Sequence, residues 1–307
     1  MPQLDFFLVD VFASEPLAGN PLAVVAGADR LDEPTMRRLA REFNQSETTF
    51  VMRPTRPDAD WRLRFFTTTG AEVYGAGHNA LGAWWWLAAS GRLGLGADLT
   101  TFWQEIGDRV LPVEIIAEGG RLRAVGMIQS PPVFGAVAHD LAALAAALGI
   151  REGDLAGGVL VPQVVSTGAA HLLVGVRDRA AVARVAPAVE PLVAILGALG
   201  GQGCYVFCLD PIDPSATVHA RFFNPSVGIS EDAATGSAAG PLGCYLTARG
   251  LVAPGATMVV EQGYTMERPS RIEVTVRGDR VRVSGSAVVV AEGTIRCESV
   301  QLPRLGV

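Results

Sequence analysis

The pattern of apolar and polar positions predicts many short strands and few helices. Residues 6–12 are apolar except for Asp10, which is typical of a buried strand, and residues 61–65 alternate between apolar residues and arginine, which is typical of a half-buried one. Between them, Asp32 and Pro34 mark a helix start, after which apolar residues recur every three or four positions. The same criteria predict a helix at 189–199, two strands within 164–176, and single strands at 22–25, 44–50, 99–106, 110–117, 121–129, 204–209, 218–223, 257–262, 271–276, 280–284 and 286–291.

Two further helices are predicted to be apolar on every side. The first covers residues 80–89, and the second runs through Leu242, Cys244 and Leu246. A helix without a polar face must be enclosed by other elements. The sequence therefore predicts an α+β protein in which each half is a β-sheet or barrel wrapped around one central hydrophobic helix.

An internal repeat relates the two halves. Residues 33–66 align without a gap with 190–223, and 11 of the 34 aligned positions are identical, against roughly two for unrelated sequences of ordinary composition. The chain of 307 residues is long enough for two domains. We predict a first domain at 1–130 and a second at 131–307, with the last strands packing back on the first. In this alignment Glu47 lies opposite Cys204.

Composition and charge exclude several classes of protein. The formal net charge is −6 and no run of Lys or Arg stands out, which argues against a nucleic-acid partner. The four cysteines lack metal-binding spacing, so no metal site is predicted. Residues 1–5 do not resemble a signal peptide, and no apolar stretch suits a membrane span. We expect a reduced, cytoplasmic protein without a membrane partner.

The two central helices begin with similar motifs. Gly77-His78 opens the first helix and Gly236-Ser237 opens the second. First-turn N–H groups have no partner inside a helix, and with the helix dipole they attract anions. Two such helix N-termini could bind the carboxylates of one small substrate. The simpler alternative, two capped helices with nothing bound, stays open.

Three motifs resemble a known family. They are NQSETTF at 44–50, GHNA at 77–80 and EDAATGSA at 231–238. Together they resemble the PhzF-like isomerases of phenazine biosynthesis, which belong to the wider diaminopimelate-epimerase-like fold. Supporting motifs occur at 19–21, 261–263 and 268–270.

The resemblance implies a cofactor-independent isomerase with its active site in a cleft between two domains, and a homodimer. Glu47 would shuttle a proton between two carbons of a small carboxylate-bearing metabolite. His78 and Asp232 would be the other catalytic residues, with His78 neutral at its helix start. The resemblance further implies a substrate-binding role for Ser46, Gly77, Asn79, Gly236 and Ser237.

Other interpretations of the same residues remain. An epimerase or dehydratase could use Glu47 and Asp232 as opposed bases, and a non-catalytic protein could bind a small molecule on the same fold. Asp232 could simply cap the second helix, and Ser237 could merely satisfy backbone groups.

The sequence also departs from the family pattern. It has Ala76 where cysteine is common, Asn79 where a small residue or proline is usual, and Ala233 where proline is frequent. The absence of a cysteine at either helix start argues against a two-thiol racemase. Pro241 is expected to bend the second helix or to move its start.

Overall fold

The computed structural model describes residues 3–296, whose contacts divide into two compact units. Of the described residues, the first unit comprises 3–17, Pro21–Val125 and 286–296. The second comprises Ala18–Asn20 and Gly126–Gly285. The domain limits read from the sequence, 1–130 and 131–307, stay a prediction. Within the described residues, no helix is long and apolar enough to cross a membrane.

The first unit is built mainly of strands. In chain order its elements are β1 (Gln3–Val11), β2 (Asn20–Val25), α1 (Glu33–Phe43), β3 (Glu47–Met52), β4 (Trp61–Thr67), β5 (Glu72–Val73), α2 (His78–Ala89), β6 (Leu99–Ile106), β7 (Arg109–Glu118) and β8 (Arg121–Gln129), the last of which continues into the second unit. The final strand described (Ala287–Arg296) pairs antiparallel with β1. Parallel pairing joins β2 to β3 and β4 to β6, and antiparallel pairing joins β3 to β4 and β6 to β7.

Helix α1 forms where the sequence predicts it. The Asp32 side chain accepts a hydrogen bond from the Thr35 N–H at 3.0 Å, and Asn44 ends the helix in the left-handed region. The apolar face of α1, with Met36 and Ala40, packs on Phe50 of β3 in a small core. One face of β3 is therefore covered by α1.

Helix α2 lies inside the first unit. Most of its residues are buried, and it packs against β1, β3 and the final strand. Gly82 permits this close approach, because a Cβ there would lie 2.6 Å from Leu22 and 2.7 Å from Val11. Trp84 is fully buried and donates from its indole N–H to Gln104 at 2.9 Å, so it is a core residue.

The second unit repeats this plan. Its elements are β9 (Val133–Val137), α3 (Leu141–Ala147), β10 (Gln163–Ser166), β11 (Ala170–Gly175), α4 (Arg179–Arg184), α5 (Val189–Leu199), β12 (Gly203–Cys208), β13 (Val218–Asn224), β14 (Ile229–Asp232), α6 (Gly236–Ala248), β15 (Thr257–Gln262), β16 (Ser270–Arg277) and β17 (Arg280–Gly285), so the final strand above is β18. Helix α6 is the buried central helix here, and it packs against β10, β11, β16 and β17. The helix begins at Gly236 and continues through Pro241, so the proline has not moved its start.

The repeat extends to ion pairs and buried carboxylates. Arg64 pairs with Glu72 at 2.7 Å, and Arg221 pairs with Glu231 at 2.8 Å. Buried carboxylates recur in the same way, because Glu105 accepts the N–H groups of the loop after β3 and Glu261 accepts those of the loop after β12. The two units therefore share detailed contacts as well as their order of elements.

The structure corrects the register of the repeat at Glu47. Helices α1 and α5 begin 156 positions apart, as do β3 and β12, whereas β4 and β13 begin 157 apart, because the loop after β12 is one residue longer. The side chains support this shift. Phe50 faces the core beside α1, and Cys204 faces the core beside α5. Because alternate residues of a strand share a face, equivalent positions of β3 and β12 must differ by an even number, such as 156, and not by 157. The counterpart of Glu47 is thus Gly203, and the ungapped pairing of Glu47 with Cys204 was wrong.

Some short elements were not anticipated. They are α3, α4, β5, β9 and β14. Both helices have an aspartate N-cap, Asp140 for α3 and Asp178 for α4. They run for seven and six residues, respectively, which is too short for a clear helical period.

Candidate active-site residues in each unit

In the first unit, β3 directs Glu47 toward the start of α2. The carboxyl-bearing side chain is half-buried at the first position of β3, paired in register with Thr67 of β4. Thr49 lies on the same face of the strand and donates from its hydroxyl to the Asn79 carbonyl in the first turn of α2, at 3.0 Å. Because residues two apart on a strand share a face, Glu47 and Thr49 both face the α2 side.

His78 is the first residue of α2, and its imidazole contacts Ser46. The distance between His78 Nε2 and Ser46 Oγ is 3.2 Å. Burial among protein atoms lowers the pKa of His78 to about 4. The imidazole is therefore neutral near pH 7, as the sequence predicted, and can donate or accept a hydrogen bond without carrying charge.

Asn79 shapes the loop that enters α2. Its Oδ1 accepts the N–H groups of Gly77 at 2.7 Å and Ala80 at 2.8 Å, and its Nδ2 donates to the Gly75 carbonyl at 2.9 Å. The side chain is buried, with 2% of its surface exposed. These bonds give Asn79 a role in holding Gly77 and the helix start; a contact of Asn79 with a substrate stays a prediction.

In the second unit, Asp232 ends β14 just before α6. Its Oδ1 accepts from Asn20 Nδ2 at 2.8 Å, and its Oδ2 accepts from the Thr235 hydroxyl. Burial raises the pKa of Asp232 to about 6, with the Glu231 charge adding to it and the bonds from Thr235 and Asn20 opposing it. A carboxyl with a pKa of about 6 is suited to both accept and release a proton near neutral pH.

The structure does not support a simple capping role for Asp232. The N-cap residue of α6 is Thr235, and no side-chain hydrogen bond caps the helix. Instead, the Asp232 carboxylate accepts bonds from two side chains, those of Asn20 and Thr235. These bonds hold the carboxylate beside the helix start, and the carboxylate does not cap the backbone N–H groups of α6.

Two glutamines, neither of them among the predicted site residues, hold the start of α6 in place by hydrogen bonds. Gln262 accepts from the Thr235 N–H at 3.2 Å and donates to the Asp232 carbonyl at 2.7 Å. Gln129 donates to the Gly236 carbonyl at 3.0 Å. Gln262 lies in the supporting motif at 261–263 and Asn20 in the one at 19–21, so both motifs carried a signal for this region.

Ser237, in the first turn of α6, contacts a residue that the sequence did not suggest. Its hydroxyl oxygen lies 3.4 Å from Nε2 of His171, at the start of β11. Each unit therefore has a serine–histidine contact at the start of its central helix: Ser46 with His78, and Ser237 with His171.

Among the described residues there is neither a reactive thiol nor a cluster of residues that could bind a metal ion. Cys204, Cys208 and Cys244 are buried and free, and burial raises their pKa values to about 12, 11 and 11, respectively. Between residues 3 and 296, no cluster of His, Cys, Asp or Glu has the makings of a metal site. Cys297 lies outside the described residues. The ionisable groups beside the helix starts are thus carboxyls and imidazoles.

Comparison with known proteins identifies the family. The model of the family described as phenazine biosynthesis-like protein (PhzC–PhzF) matches residues 9–293. The chain belongs to the PhzC–PhzF family. A relative, the trans-2,3-dihydro-3-hydroxyanthranilate isomerase of Pseudomonas aeruginosa, is 33% identical over 94% of this chain and 98% of its own.

Solved structures agree with this assignment. The phenazine biosynthesis protein of the PhzF family from Bacillus anthracis superposes with a TM-score of 0.87 at 29% identity, over 97% of this chain and 100% of the other. A hydroxyproline epimerase from Agrobacterium vitis, 12% identical with a TM-score of 0.62 over 95% of this chain and 92% of its own, shares the fold alone.

These comparisons confirm three predictions from the sequence. The PhzF-like family, the α+β fold of the epimerase-like class and the enzyme class of isomerase are all confirmed. The roles of the individual site residues, the cleft and the substrate stay predictions.

Proposed function

We propose that this PhzC–PhzF protein is a cofactor-independent isomerase that moves a proton between two carbons of a small carboxylate-bearing metabolite. The observation that carries the proposal is the asymmetry of the repeat. One unit places the carboxyl of Glu47 on the strand face toward the central helix start, and the other has Gly203 at that position.

In the proposed reaction the Glu47 carboxylate takes a proton from one carbon of the substrate. The electron pair of that C–H bond forms a new double bond as the existing one shifts. Glu47 then returns the proton to the carbon at the far end of the shifted system, so no oxidant or cofactor is consumed. A side chain that both accepts and returns the proton suits a carboxyl shielded from water.

The groups around the helix starts have roles that suit this step. Neutral His78, held by Ser46, would donate or accept a hydrogen bond at the reacting group. The first-turn N–H groups of α2 and α6, at Gly77 and Gly236, would bind carboxylate oxygens. The proposal therefore requires that one substrate reach both helix starts.

A deuterium-exchange assay tests the proposal. The protein is incubated in D2O with trans-2,3-dihydro-3-hydroxyanthranilate, the compound in the name of the P. aeruginosa relative, and with other small unsaturated carboxylates. We expect deuterium at a substrate carbon together with a shifted double bond, read by NMR and mass spectrometry. Glu47→Gln keeps the shape but removes the proton carrier, so exchange should fall by at least about a thousandfold.

The matched control is Glu42→Gln, which changes an exposed glutamate of α1 and should leave exchange unchanged. Full turnover by Glu47→Gln would rule out Glu47 as the proton carrier. Binding of these carboxylates by the wild-type protein without exchange at any carbon would instead indicate a non-catalytic binding protein.

A second candidate is an epimerase or dehydratase in which Glu47 and Asp232 act as opposed bases. The pKa of about 6 at Asp232 favours it, because such a carboxyl is also competent to carry a proton. Inversion at a carbon with the double bond left in place would indicate an epimerase, and loss of water a dehydratase. Both would require Asp232→Asn to be as inactive as Glu47→Gln.

The resemblance also leads us to propose a homodimer located in the cytoplasm. Sedimentation equilibrium tests the first point directly. A mass near twice 32.2 kDa is expected, and a monomer at micromolar concentration would contradict it.

A further inference from the structure

We propose that His171 is a positioning residue that turns the Ser237 hydroxyl into a hydrogen-bond donor for an anionic group of the substrate; this rests on the proposed substrate-binding role of Ser237. The two side chains meet at the start of α6, with 3.4 Å between Nε2 of His171 and Oγ of Ser237. Neither the sequence motifs nor the family resemblance singled out His171.

The imidazole of His171 is held in a fixed orientation. Only 3% of the residue is exposed. Its ring packs edge-on against Phe222, with centroids 5.0 Å apart and planes 87° apart. Because β11 pairs in parallel with β12, His171 lies beside Gly203. A ring with this packing can orient a neighbouring hydroxyl, because little room is left for other rotamers.

The second ring nitrogen decides which way the hydrogen bond runs. Nδ1 of His171 is buried and has no hydrogen-bond partner among the described residues. A buried N–H without an acceptor is rare in proteins, whereas an acceptor that lacks a donor is better tolerated. The tautomer with its proton on Nε2 therefore fits the site, since Nδ1 then presents only a lone pair.

With the proton on Nε2, His171 donates to Oγ of Ser237. The hydroxyl oxygen is then occupied as an acceptor, and its own hydrogen is free to point at a ligand. Next to it, the first-turn N–H groups of α6 lack partners inside the helix. Together they would make a set of donors for a carboxylate, assembled without any positively charged side chain.

Burial supports a neutral imidazole in this role. The pKa of His171 is lowered to about 4 by burial. Near neutral pH the ring therefore carries a single proton, which is bound to either Nδ1 or Nε2. A charged imidazolium would carry a proton on both nitrogens and would leave a buried N–H at Nδ1 without an acceptor.

The repeat shows that His171 occupies a distinctive position. In the first unit, Ala23 of β2 pairs with Thr48 of β3, so Leu22 lies beside Glu47 one step earlier. In the second unit the corresponding neighbours are His171 and Gly203. At this pair of neighbouring positions each unit thus has one polar side chain on the face toward its central helix, the Glu47 carboxyl in the first unit and the His171 imidazole in the second.

The tautomer can be measured on the resting protein. In ¹⁵N-labelled protein at pH 7, we expect His171 to show a protonated Nε2 and a bare Nδ1, assigned by loss of its signals in His171→Gln. Proton on Nδ1, or a ring protonated on both nitrogens, would overturn the proposal. This readout needs no substrate, so it stands even if the exchange assay shows no turnover.

Kinetics then separate positioning from a merely structural role. With the substrate found by deuterium exchange, His171→Leu should raise KM about tenfold and leave kcat within about twofold, as should Ser237→Ala. The double variant should resemble either single variant, because both remove the same donor. His171→Gln, which offers an N–H donor, should restore part of the lost affinity.

Thermal melting and circular dichroism of each variant verify that the fold is kept. A fall in kcat at unchanged KM, additive effects in the double variant, or no rescue by His171→Gln relative to His171→Leu would each contradict the proposal.

Discussion

Asn20 donates from Nδ2 to Oδ1 of Asp232 across 2.8 Å, although 212 residues separate them in sequence. The Thr235 hydroxyl occupies the other carboxylate oxygen. Both bonds favour the ionised carboxylate and oppose the rise in pKa caused by burial. We predict that Asn20→Ala raises the pKa of Asp232 above its value of about 6. Thr235→Val alone should raise this pKa by more than Asn20→Ala does, because the bond from Thr235 lowers the pKa more than the bond from Asn20.

An NMR titration of the ¹³C-labelled Asp232 carboxyl measures this directly, with Asp232→Asn assigning the signal. If Asp232 must be ionised for turnover, the acid limb of the pH–rate profile should move to higher pH in Asn20→Ala. An unchanged or lowered pKa in both variants would contradict the assignment of these bonds.

A second prediction concerns the start of α6. At Gly240 a Cβ would lie 1.8 Å from Oε1 of Gln129, the side chain that holds the Gly236 carbonyl. Gly240→Ala must displace Gln129, and we expect it to lower the free energy of unfolding by about 1–3 kcal/mol. Urea denaturation monitored by fluorescence gives the value.

Gly197→Ala is the matched control, since Gly197 is an exposed glycine of α5 with no atom within 4 Å of the added methyl group. It should raise stability by up to about 1 kcal/mol, because alanine favours the helix more than glycine. Equal effects of the two substitutions would show that Gln129 does not fill the space beside Gly240.

A third prediction follows from the lowered pKa values of two histidines. Burial lowers the pKa values of His78 and His171 to about 4, against 6.5 for a free histidine. Between these values the unfolded chain binds more protons, so the free energy of unfolding should rise with pH from about 4 to 6.5, by at most about 1.4 kcal/mol per pH unit for each residue. Asp232, whose pKa is raised from 3.8 to about 6, opposes this trend over its own window.

Urea titrations at half-unit pH steps measure the sign of the pH dependence of the free energy of unfolding and show which residues cause it. His78→Gln and His171→Gln should each flatten the slope below pH 6.5, and Asp232→Asn should steepen it below pH 6. A slope that none of the three substitutions alters would place the pH dependence in other groups.

A fourth prediction concerns the thiols. Burial raises the pKa values of Cys204, Cys208 and Cys244 well above that of a free thiol. In the native protein at pH 8, we expect iodoacetamide to modify these three cysteines at less than about a hundredth of the rate seen in urea. Peptide mapping by mass spectrometry resolves each site. Fast modification of any of them with parallel loss of exchange activity would indicate a catalytic thiol.

The sequence anticipated most of the fold because its strongest signals are local. The Asp32 cap and the spacing of Met36 and Ala40 locate α1, and the all-apolar segments locate α2 and α6. The short elements α3, α4 and β14 were missed because six or seven residues, or fewer, show too little of a period.

The candidate site was only partly accessible from the sequence. Glu47, His78, Asp232 and Ser237 stand in motifs that resemble the family. His171 and Gln129 stand in none, and they reach the start of α6 through strand pairing and side-chain packing. The ungapped alignment also set Glu47 against Cys204, since one extra loop residue leaves no visible gap when identities persist on both sides.

The sequence by itself determined the class of fold, the duplicated plan and the family, because periodicity and motifs depend on neighbours along the chain. Tertiary structure alone decided which polar groups meet within each unit: Asn20 with Asp232, Ser46 with His78 and His171 with Ser237. It also decided the pKa values of Asp232 and the two histidines, because desolvation depends on atoms that are close in space and distant in sequence.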